Sequence, residues 1–313
     1  MKKIVVIGSS NTDLITKVKK FPAPGETIVG KEYMEAMGGK GANQAMAAHR
    51  LGGKVQFITC LGDDTNGKNA LEYYNKEGLN VSSSLIVNGV ASGTAIIMVD
   101  EHGENSIIVT PGANNKLSPT YLSSIENIIK EFDILVIQME VPYETVKEAC
   151  ALAKKNQTQV ILNFAPATHL DKELLCNVDI LVVNETESEK ISGEKIENIG
   201  KEGVVNIILD KGVNTVVLTL GENGCFYKNR EENLHFGAFE VDAVDTTAAG
   251  DTFCGALAAE IARGNSWENT LIFASAAAAN CITKMGAQPS IPKENDVRSF
   301  LNKNILSIKN LKK

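Results

Sequence analysis

Asp245 and Asp251 enclose a run of small residues, Thr-Thr-Ala-Ala-Gly, toward the carboxyl end of the chain. The apolar run that follows, residues 254–261, predicts a helix whose first turn contains Asp251. Side chains this small leave the first N–H groups of the helix uncovered, and these groups can bind an anion. A carboxylate beside an anion site can act as general base for a hydroxyl that attacks a phosphoryl group. Asp251 could also be a plain helix N-cap, but the small residues and the second acid favour catalysis.

A second candidate site is the glycine-rich segment 38–44, Gly-Gly-Lys-Gly-Ala-Asn-Gln. Its three glycines let the backbone approach a ligand closely, while Lys40 and Asn43 offer donors. Asn11 and Asp13 follow the first predicted strand, where ligands bind in open α/β sheets. An amide and a carboxylate suit a polyhydroxyl ligand, because each sugar hydroxyl both donates and accepts. Each of these segments, taken alone, is more often a simple turn.

Two polar segments at the ends of predicted strands leave two interpretations open. Residues 184–187, Asn-Glu-Thr-Glu, form either a helix cap with acids in its first turn or an outer-sphere site for Mg²⁺ and phosphate. The second interpretation assigns Asn184 and Glu187, because Mg²⁺ keeps several waters and suits second-shell carboxylates. Residues 219–224, Thr-Leu-Gly-Glu-Asn-Gly, form either a hairpin turn or a loop that lines a nucleotide.

Familiar nucleotide and metal motifs are absent from the sequence. Residues 62–69 approach the P-loop pattern, but Asn69 has no hydroxyl for Mg²⁺, and Asp63 and Asp64 would repel phosphate. No Gly-x-Gly-x-x-Gly fingerprint occurs, which excludes a dinucleotide site of that kind. The four histidines lack His-x-x-x-His spacing, and we expect no transition-metal site.

The composition is that of an ordinary globular enzyme, with 313 residues, 43% hydrophobic and 22% charged. A net charge of −7, with no basic block apart from the lysines within 309–313, argues against nucleic-acid binding. The first apolar run is shorter than the roughly 7–15 residues of a signal peptide, and no run approaches the ~18 residues of a membrane span. Six cysteines without a Cys-x-x-Cys pair indicate reduced thiols and a cytoplasmic protein.

The elements that carry these motifs alternate between strand and helix from residue 117 onward. This alternation predicts right-handed βαβ units and a parallel sheet covered on both faces, that is, a three-layer α-β-α (Rossmann-like) core. Residues 55–61 are predicted to form one strand and residues 118–130 one helix. Residues 93–100 and 105–110 predict a hairpin that, with residues 12–36, forms a small β subdomain. The predicted division is therefore a core of 1–11, 37–84 and 111–313, and a β-sheet subdomain of 12–36 and 85–110.

At this point the chain resembles the ribokinase-like sugar-kinase family over essentially its whole length. The glycine motif at 38–44 and the motif at 245–253 carry the resemblance, and both are specific. Further matches are residues 11–13, 138–140, 184–187 and 286–290. The resemblance implies ATP-dependent phosphorylation of the 5-hydroxyl of D-ribose, giving ribose 5-phosphate and ADP.

The resemblance also implies roles for individual residues. Asp251 would be the base, with an anion hole formed by the N–H groups of Ala248, Ala249 and Gly250. The implied sugar site contains Asn11, Thr12, Asp13, Gly39, Lys40, Gly41, Asn43, Glu140 and Asp251. The implied ATP site contains Asn184, Thr219, Leu220, Gly221, Glu222, Asn223, Gly224, Gly250, Asp251 and Ser275, with Glu187 acting on Mg²⁺ through its outer sphere. The implied monovalent-cation (K⁺) site contains Asp245, Thr247, Cys281, Lys284, Gly286 and Ser290, mostly through carbonyls.

Two positions depart from the family pattern: Ser275 replaces a larger ring-contacting side chain, and Cys281 replaces a plain alanine. The two β segments would form the family's lid, which covers the sugar and pairs between the subunits of a homodimer. Kinases for deoxyribose, fructose or a nucleoside remain alternatives, and a sugar sensor without activity is a different class of alternative. A sensor would have lost the base or the anion hole, and both motifs are intact in this sequence.

Overall fold

Runs of valine, isoleucine and leucine form the strands of the molecule, as expected for β-branched and apolar residues on buried pleated surfaces. The computed structural model describes residues 1–304, so residues 305–313 of the predicted core, with their lysines, lie outside the described part. The strands are β1 (Lys3–Ile7), β2 (Asn11–Lys17), β3 (Glu32–Gly38), β4 (Lys54–Ile58), β5 (Cys60–Gly62), β6 (Leu85–Val87), β7 (Gly93–Val99), β8 (Asn105–Thr110), β9 (Ile134–Gln138), β10 (Gln159–Asn163), β11 (Ile180–Asn184), β12 (Thr215–Thr219), β13 (Cys225–Lys228) and β14 (Asn233–Phe236).

The helices follow the strands in the alternation that the sequence predicts. They are α1 (Lys40–Arg50), α2 (Thr65–Glu77), α3 (Pro119–Ser124), α4 (Glu126–Ile129), α5 (Tyr143–Lys155), α6 (Lys172–Leu175), α7 (Glu185–Ser192), α8 (Ile196–Asp210), α9 (Ala249–Arg263), α10 (Trp267–Cys281) and α11 (Glu294–Lys303). Within residues 1–304, no helix is both long and apolar enough to cross a membrane.

One large sheet forms the centre of the core, with strand order β14-β13-β12-β11-β10-β9-β1-β4. The six strands β4, β1, β9, β10, β11 and β12 pair in parallel, in that spatial order. Strands β13 and β14 continue the sheet antiparallel at one edge. Alternate residues of β1 face opposite sides: Ile4 and Val6 pack in one apolar cluster, and Val5 and Ile7 in another. Helices α1, α9 and α10 cover the first side, and α5 and α8 cover the second. The predicted three-layer α-β-α core is thus confirmed.

A separate four-stranded sheet, hereafter the lid, has the order β3-β2-β7-β8. The predicted hairpin is present, because β7 and β8 pair antiparallel with Val99 opposite Asn105. Strand β6 instead pairs with β5 in a small sheet of its own. The lid continues directly from β1 through residues 8–10, so the start of β2 lies at the carboxyl end of the central sheet. The domain boundaries given above remain a prediction.

The structure interrupts two elements that the sequence predicts as continuous. The predicted strand 55–61 divides at Thr59, because the residues that follow leave β1 and pair with β6. The predicted helix 118–130 divides at Ile125, whose backbone angles of φ −110° and ψ 16° are not helical. In both cases the apolar pattern runs on through the break, so the pattern alone could not place it.

Candidate active site

Four chain segments meet where the large sheet joins the lid. They are the stretch between β1 and β2, the start of α1, the loop after β9, and the start of α9. Glu140 Oε2 accepts from the Lys40 N–H at 3.0 Å and from Ser9 Oγ at 2.6 Å, which ties the first three segments together. Asn43 Nδ2 donates to Asp251 Oδ2 at 2.9 Å and joins α1 to α9. The structure thus brings together the glycine motif and the Asp251 motif, which lie some two hundred residues apart in sequence.

Asp251 is buried in the first turn of α9, where it is 8% exposed. Its Oδ1 accepts from Gln44 Nε2 at 2.9 Å, so both carboxylate oxygens accept hydrogen bonds from side-chain amides of α1. The N-cap of α9 is Ala248, and no side chain caps this helix. Asp251 is therefore not a plain N-cap, and its carboxylate is directed toward α1 rather than toward the N–H groups of its own helix.

The start of α9 is held in an unusual conformation. Ala248 has φ 60° and ψ 9°, the left-handed region that non-glycine residues rarely adopt. This conformation costs about 1–2 kcal/mol and is found mainly where function requires it. The carbonyl of Ala248 accepts from the Thr252 N–H at 2.8 Å, which begins the helix. The Ala249 N–H makes only a long bond of 3.3 Å to the Thr246 carbonyl, while the Gly250 N–H has no acceptor among residues 1–304. These N–H groups belong to the predicted anion hole, and they remain available to an anion.

The residues of the predicted sugar site include a buried group of charges. Asp13 is 5% exposed, and its pKa is raised to about 7, first by burial and then by the carboxylates of Glu140 and Asp251. Lys40 opposes this shift, and its own pKa is raised, chiefly by Asp251. The Asp13 carboxylate accepts no hydrogen bond within the described chain, so its oxygens are available to a polar ligand. A pocket with several carboxyl groups and one ammonium group suits a neutral ligand rich in hydroxyl groups.

Asn11 is oriented by a second asparagine. Asn114 Nδ2 donates to Asn11 Oδ1 at 2.8 Å, and Asn114 Oδ1 accepts from the Ser10 N–H at 2.9 Å. The N–H₂ group of Asn11 therefore remains as the donor toward a ligand. Asn11 and Asp13 lie on the same face of β2, whereas Thr12 lies on the opposite face. Thr12 could therefore reach the sugar site only through its backbone.

The glycine motif also has a structural role that the sequence did not indicate. A Cβ at Gly41 would lie 2.5 Å from the carbonyl carbon of Gly8 and from the Ser9 nitrogen. The chain's own backbone, rather than a ligand, thus requires glycine at this position. The close approach allows the first turn of α1 to pack against the end of β1, which places Lys40 and Asn43 beside Asp251.

Asn184 and Glu187 form the helix cap that the first interpretation predicts. Asn184 Oδ1 accepts from the Glu187 N–H at 2.8 Å, and Glu187 Oε2 accepts from the Asn184 N–H at 2.9 Å, a capping box. Burial raises the pKa of Glu187, with Lys40 opposing the shift and Asp251 adding to it. Its Oε1 has no partner within residues 1–304. The cap therefore leaves one carboxylate oxygen free, in a carboxyl group that interacts with the charges of Lys40 and Asp251, and the two interpretations are compatible.

The loop at 219–224 connects two antiparallel strands. Thr219 pairs with Cys225, and a short 3₁₀ turn spans Gly221–Asn223, so the hairpin interpretation is correct for its backbone. The side chain of Leu220 is buried in the core, which leaves only its backbone for a nucleotide. Ser275 Oγ in α10 lies 3.7 Å from Cys225 Sγ, and so borders the same hairpin. Most residues of the predicted ATP site thus lie near the ends of β11 and β12, whereas Gly250 and Asp251 lie at the start of α9.

The residues of the predicted cation site join two loops. Asp245 Oδ1 accepts from the Thr247 N–H at 2.9 Å, and Oδ2 accepts from the Gly286 N–H at 2.8 Å. Cys281 Sγ lies 3.0 Å from Ser290 Oγ and 3.8 Å from the Thr247 carbonyl. The Lys284 N–H donates to the Cys281 carbonyl, so Lys284 also belongs to this loop. In the part of the chain that the structure describes, no group of three or more His, Cys, Asp or Glu side chains is placed to hold a metal. Any ligand set here would consist mainly of carbonyls.

The sequence indicated no separate role for several polar residues behind the site, although two of them lie in the motifs 38–44 and 138–140. Gln44, Gln138 and Asn163 are buried amides that contact one another, and Ser9 and Asn114 support Glu140 and Asn11. A signal for two of them was available, because Gln138 and Asn163 are the last residues of buried parallel strands. A polar residue at that position points to the ligand-binding edge of the sheet.

Comparison with known proteins places this geometry in one family. The model of the pfkB family of carbohydrate kinases matches residues 1–294. Ribokinase from Haemophilus influenzae is 41% identical over 301 residues, which cover 96% of this chain and 98% of that protein. Deoxyribokinase from Salmonella typhi is 36% identical, covering 96% of this chain and 99% of that protein. The chain belongs to the pfkB family of carbohydrate kinases, which confirms the resemblance seen in the sequence.

Solved structures agree with this assignment over the whole fold. Ribokinase from Thermotoga maritima superposes with a TM-score of 0.89 at 39% identity, covering 96% of this chain and 100% of that one. Arabidopsis thaliana ribokinase, solved in complex with ribose and ATP, also gives a TM-score of 0.89 at 33% identity. That match covers 96% of this chain and 98% of the Arabidopsis protein.

Proposed function

We propose that this carbohydrate kinase transfers the γ-phosphoryl group of ATP to the 5-hydroxyl of D-ribose, giving ribose 5-phosphate and ADP. The observation that carries the proposal is the buried carboxylate of Asp251 beside the uncapped start of α9. The pocket around Asn11, Asp13 and Lys40 provides donors and acceptors for a neutral polyhydroxyl substrate. Relatives named ribokinase, and the Arabidopsis structure with ribose and ATP, support ribose as that substrate.

The reaction requires one proton transfer and one phosphoryl transfer. Asp251 accepts the proton of the 5-hydroxyl, and the hydroxyl oxygen forms a bond to the γ-phosphorus as the bond to the β–γ bridging oxygen breaks. The N–H groups of Ala248, Ala249 and Gly250 stabilise the negative charge on the transferred group. Mg²⁺, when bound with ATP, would neutralise part of the charge of the phosphates. Glu187 fits an outer-sphere role toward it, because its Oε1 is free of the helix cap and its carboxyl group interacts with the charges of Lys40 and Asp251.

A coupled assay of ADP release across a panel of sugars tests the substrate. We expect the highest kcat/KM with D-ribose, lower values with 2-deoxyribose and fructose, and no turnover of nucleosides. A site that hydrogen-bonds a substrate hydroxyl strongly rejects an analogue that lacks it, because its own polar groups are then left unpaired. Deoxyribose is the sharpest comparison, since deoxyribokinases are among the relatives. Equal or better turnover of deoxyribose would reassign the substrate, and no ADP release with any sugar would support a sensor.

We also propose that a monovalent cation such as K⁺ binds between Asp245 and the loop at 284–290. Asp245 already connects this loop to Thr247 through two backbone N–H bonds, and the nearby carbonyls are oxygen ligands with only one carboxylate among them. A divalent ion usually recruits more negative charge. The ion would not touch the phosphoryl group and would instead stabilise the turn that carries the anion-site N–H groups.

Activity should therefore depend on K⁺. In a buffer whose only cation is a bulky organic one, we expect addition of millimolar K⁺ to raise kcat severalfold or more, because the anion site becomes preorganised. The response should be reduced in Asp245→Ala and retained in Asp242→Ala, a control at an exposed aspartate three positions earlier in the chain. A rate insensitive to K⁺, with contaminating K⁺ excluded, would remove the cation site.

A homodimer formed through the lid is the arrangement we propose for the assembled enzyme. The lid exposes Ile96, Ile107, Ile108 and Val109, an unusual number of apolar side chains for a small sheet. Its outer strands β3 and β8 are unpaired edges, which a second copy could cover. We expect sedimentation to give a dimer for the wild type and a monomer for Ile108→Lys. Ile199→Lys on α8, an equally apolar surface position outside the lid, should leave the dimer intact; a monomeric wild type would contradict the proposal.

We propose a cytoplasmic location for the enzyme. All six cysteines are free, and five of them are buried. A reducing compartment keeps such thiols in this state.

A further inference from the structure

The carboxylate of Asp251 is contacted by Gln44, which is hydrogen-bonded to two further buried amides. This connected set, hereafter the amide relay, consists of Gln138, Gln44 and Asn163. Gln44 Nε2 donates to Asp251 Oδ1 at 2.9 Å and to Asn163 Oδ1 at 3.0 Å. Gln44 Oε1 accepts from Gln138 Nε2 at 2.8 Å. Gln44 and Gln138 are fully buried, and Asn163 is 8% exposed. Both N–H bonds and the oxygen of the Gln44 amide therefore have partners away from solvent.

A backbone carbonyl sets the direction of these hydrogen bonds. Asn163 Nδ2 donates to the carbonyl of Val182 at 3.3 Å, and that carbonyl can only accept. Asn163 must then direct its Oδ1 toward Gln44. Gln44 must donate to that oxygen through Nε2, which leaves its Oε1 directed toward Gln138. A flipped Gln44 amide would place its oxygen against Asp251 and Asn163 Oδ1, a costly arrangement in a buried site. The relay therefore permits one orientation of Gln44, with its donor on the carboxylate.

Gln138 occupies its position at a cost to stability. Its Oε1 is buried and has no partner among the described residues. An unpaired buried acceptor costs about 1–3 kcal/mol. Gln138 also lies close to Gly8, where a Cβ would be 2.1 Å from Gln138 Oε1 and 2.8 Å from the Gly41 Cα. An apolar residue at position 138 would avoid this cost but would leave Gln44 Oε1 without its donor, so the glutamine is explained by its contact with Gln44.

We propose that Gln44 and Gln138 are positioning residues that hold the carboxylate of Asp251 toward the attacking hydroxyl. The proposal rests on the proposed function, because it takes Asp251 as the base. Asn43 binds Oδ2 and Gln44 binds Oδ1, so the two donors together prevent rotation of the carboxylate. Gln138 touches neither substrate nor Asp251 and acts only through Gln44. Misplacement of a reacting group by about 1 Å can lower the rate about 10²-fold.

Gln138→Met tests the relay, because it keeps the length of the side chain and removes the donor. We expect kcat at saturating sugar and ATP to fall about 10–30-fold, with the KM for ATP unchanged. The decisive measurement repeats the substitution in an Asp251→Asn background. There no base remains to be positioned, so Gln138→Met should lower kcat by less than about twofold. A purely structural role would lower kcat by the same factor in both backgrounds.

Gln56→Met is the matched control. Gln56 is a buried glutamine of β4 in the same sheet, and its Nε2 donates to Ser83 Oγ at 2.7 Å. The Gln56→Met variant should lose thermal stability and keep the wild-type kcat. If Gln138→Met does not fold, Gln138→Leu replaces it in the same cycle. Two outcomes overturn the relay alone: normal kcat in the Gln138 variant while Asp251→Asn shows its expected loss, or equal losses from the Gln138 substitution in the two backgrounds. Normal kcat in Asp251→Asn overturns the assigned base and the relay with it.

Discussion

Asp251→Asn is expected to lower kcat for sugar phosphorylation by about 10²–10⁴-fold while the affinity for the sugar is largely kept. The amide cannot accept the hydroxyl proton, so the attacking oxygen stays protonated until late in the reaction. The substitution keeps the size of the side chain, and Gln44 can still donate to its remaining oxygen. The ligand pocket around Asn11 and Asp13 is unchanged. The loss should therefore appear in kcat and not in binding, measured by the coupled assay and by titration calorimetry with ribose.

A matched control separates this effect from a general effect on a helix start. Asp64 is the N-cap of α2, and its Oδ1 accepts from the Gly67 N–H at 2.9 Å. Asp64→Asn makes the same chemical change in a capping aspartate and should leave kcat within about twofold, because asparagine caps helices as well as aspartate does. Near-normal kcat in Asp251→Asn would refute the base assignment.

The sequence alone predicts the core because its signals are local. Each buried parallel strand is a continuous apolar run, as in 134–138 and 180–184, and the helices between them end in recognisable caps. Alternation of the two then restricts the topology to right-handed βαβ units. The two motifs at 38–44 and 245–253 could also be assigned to one site, because both begin helices at the ligand-binding edge of such a sheet.

The features that the sequence does not predict depend on contacts between distant segments. Gln44 meets Gln138 and Asn163 only because β9 lies between β1 and β10, an order that apolar runs do not specify. The left-handed Ala248 has no local signal, since alanine disfavours that conformation. The break of the predicted helix at Ile125 likewise has no local signal, because apolar residues continue on both sides of it.

Asp13→Asn should weaken sugar binding and stabilise the folded protein at the same time. Hydrogen bonds to a charged group contribute about 1.5–3 kcal/mol each, so loss of the carboxylate should raise the KM for ribose about 10–100-fold. The folded protein holds this carboxyl at a pKa of about 7, raised chiefly by burial from an ordinary value of 3.8. The ionised form is thus disfavoured in the unliganded pocket, and removing the charge relieves that cost.

The sign of the pH dependence follows from the raised pKa. Below about pH 4 the carboxyl is protonated in both folded and unfolded chains and contributes no difference. Between about pH 4 and 7 the unfolded chain releases the proton while the folded chain keeps it, so the wild type loses stability as the pH rises. Three pKa units correspond to on the order of 4 kcal/mol. In urea unfolding, the free energy of unfolding of Asp13→Asn should therefore increase relative to that of the wild type from pH 4 to 7. Above pH 8 the difference between the two should be constant.

The affinity for ribose should depend on the same ionisation in the wild type, and this pH dependence should be absent from the Asp13→Asn variant. The ionised carboxylate accepts two hydroxyl donors, whereas the protonated form accepts fewer and carries no charge. The KM for ribose in the wild type should rise as the pH falls from 8 to 6, and that of Asp13→Asn should stay flat over the same range. Asp63→Asn, at an exposed aspartate outside the pocket, should keep the wild-type profile. An unchanged KM in Asp13→Asn, or a pH profile identical to that of the wild type, would exclude Asp13 from the sugar site.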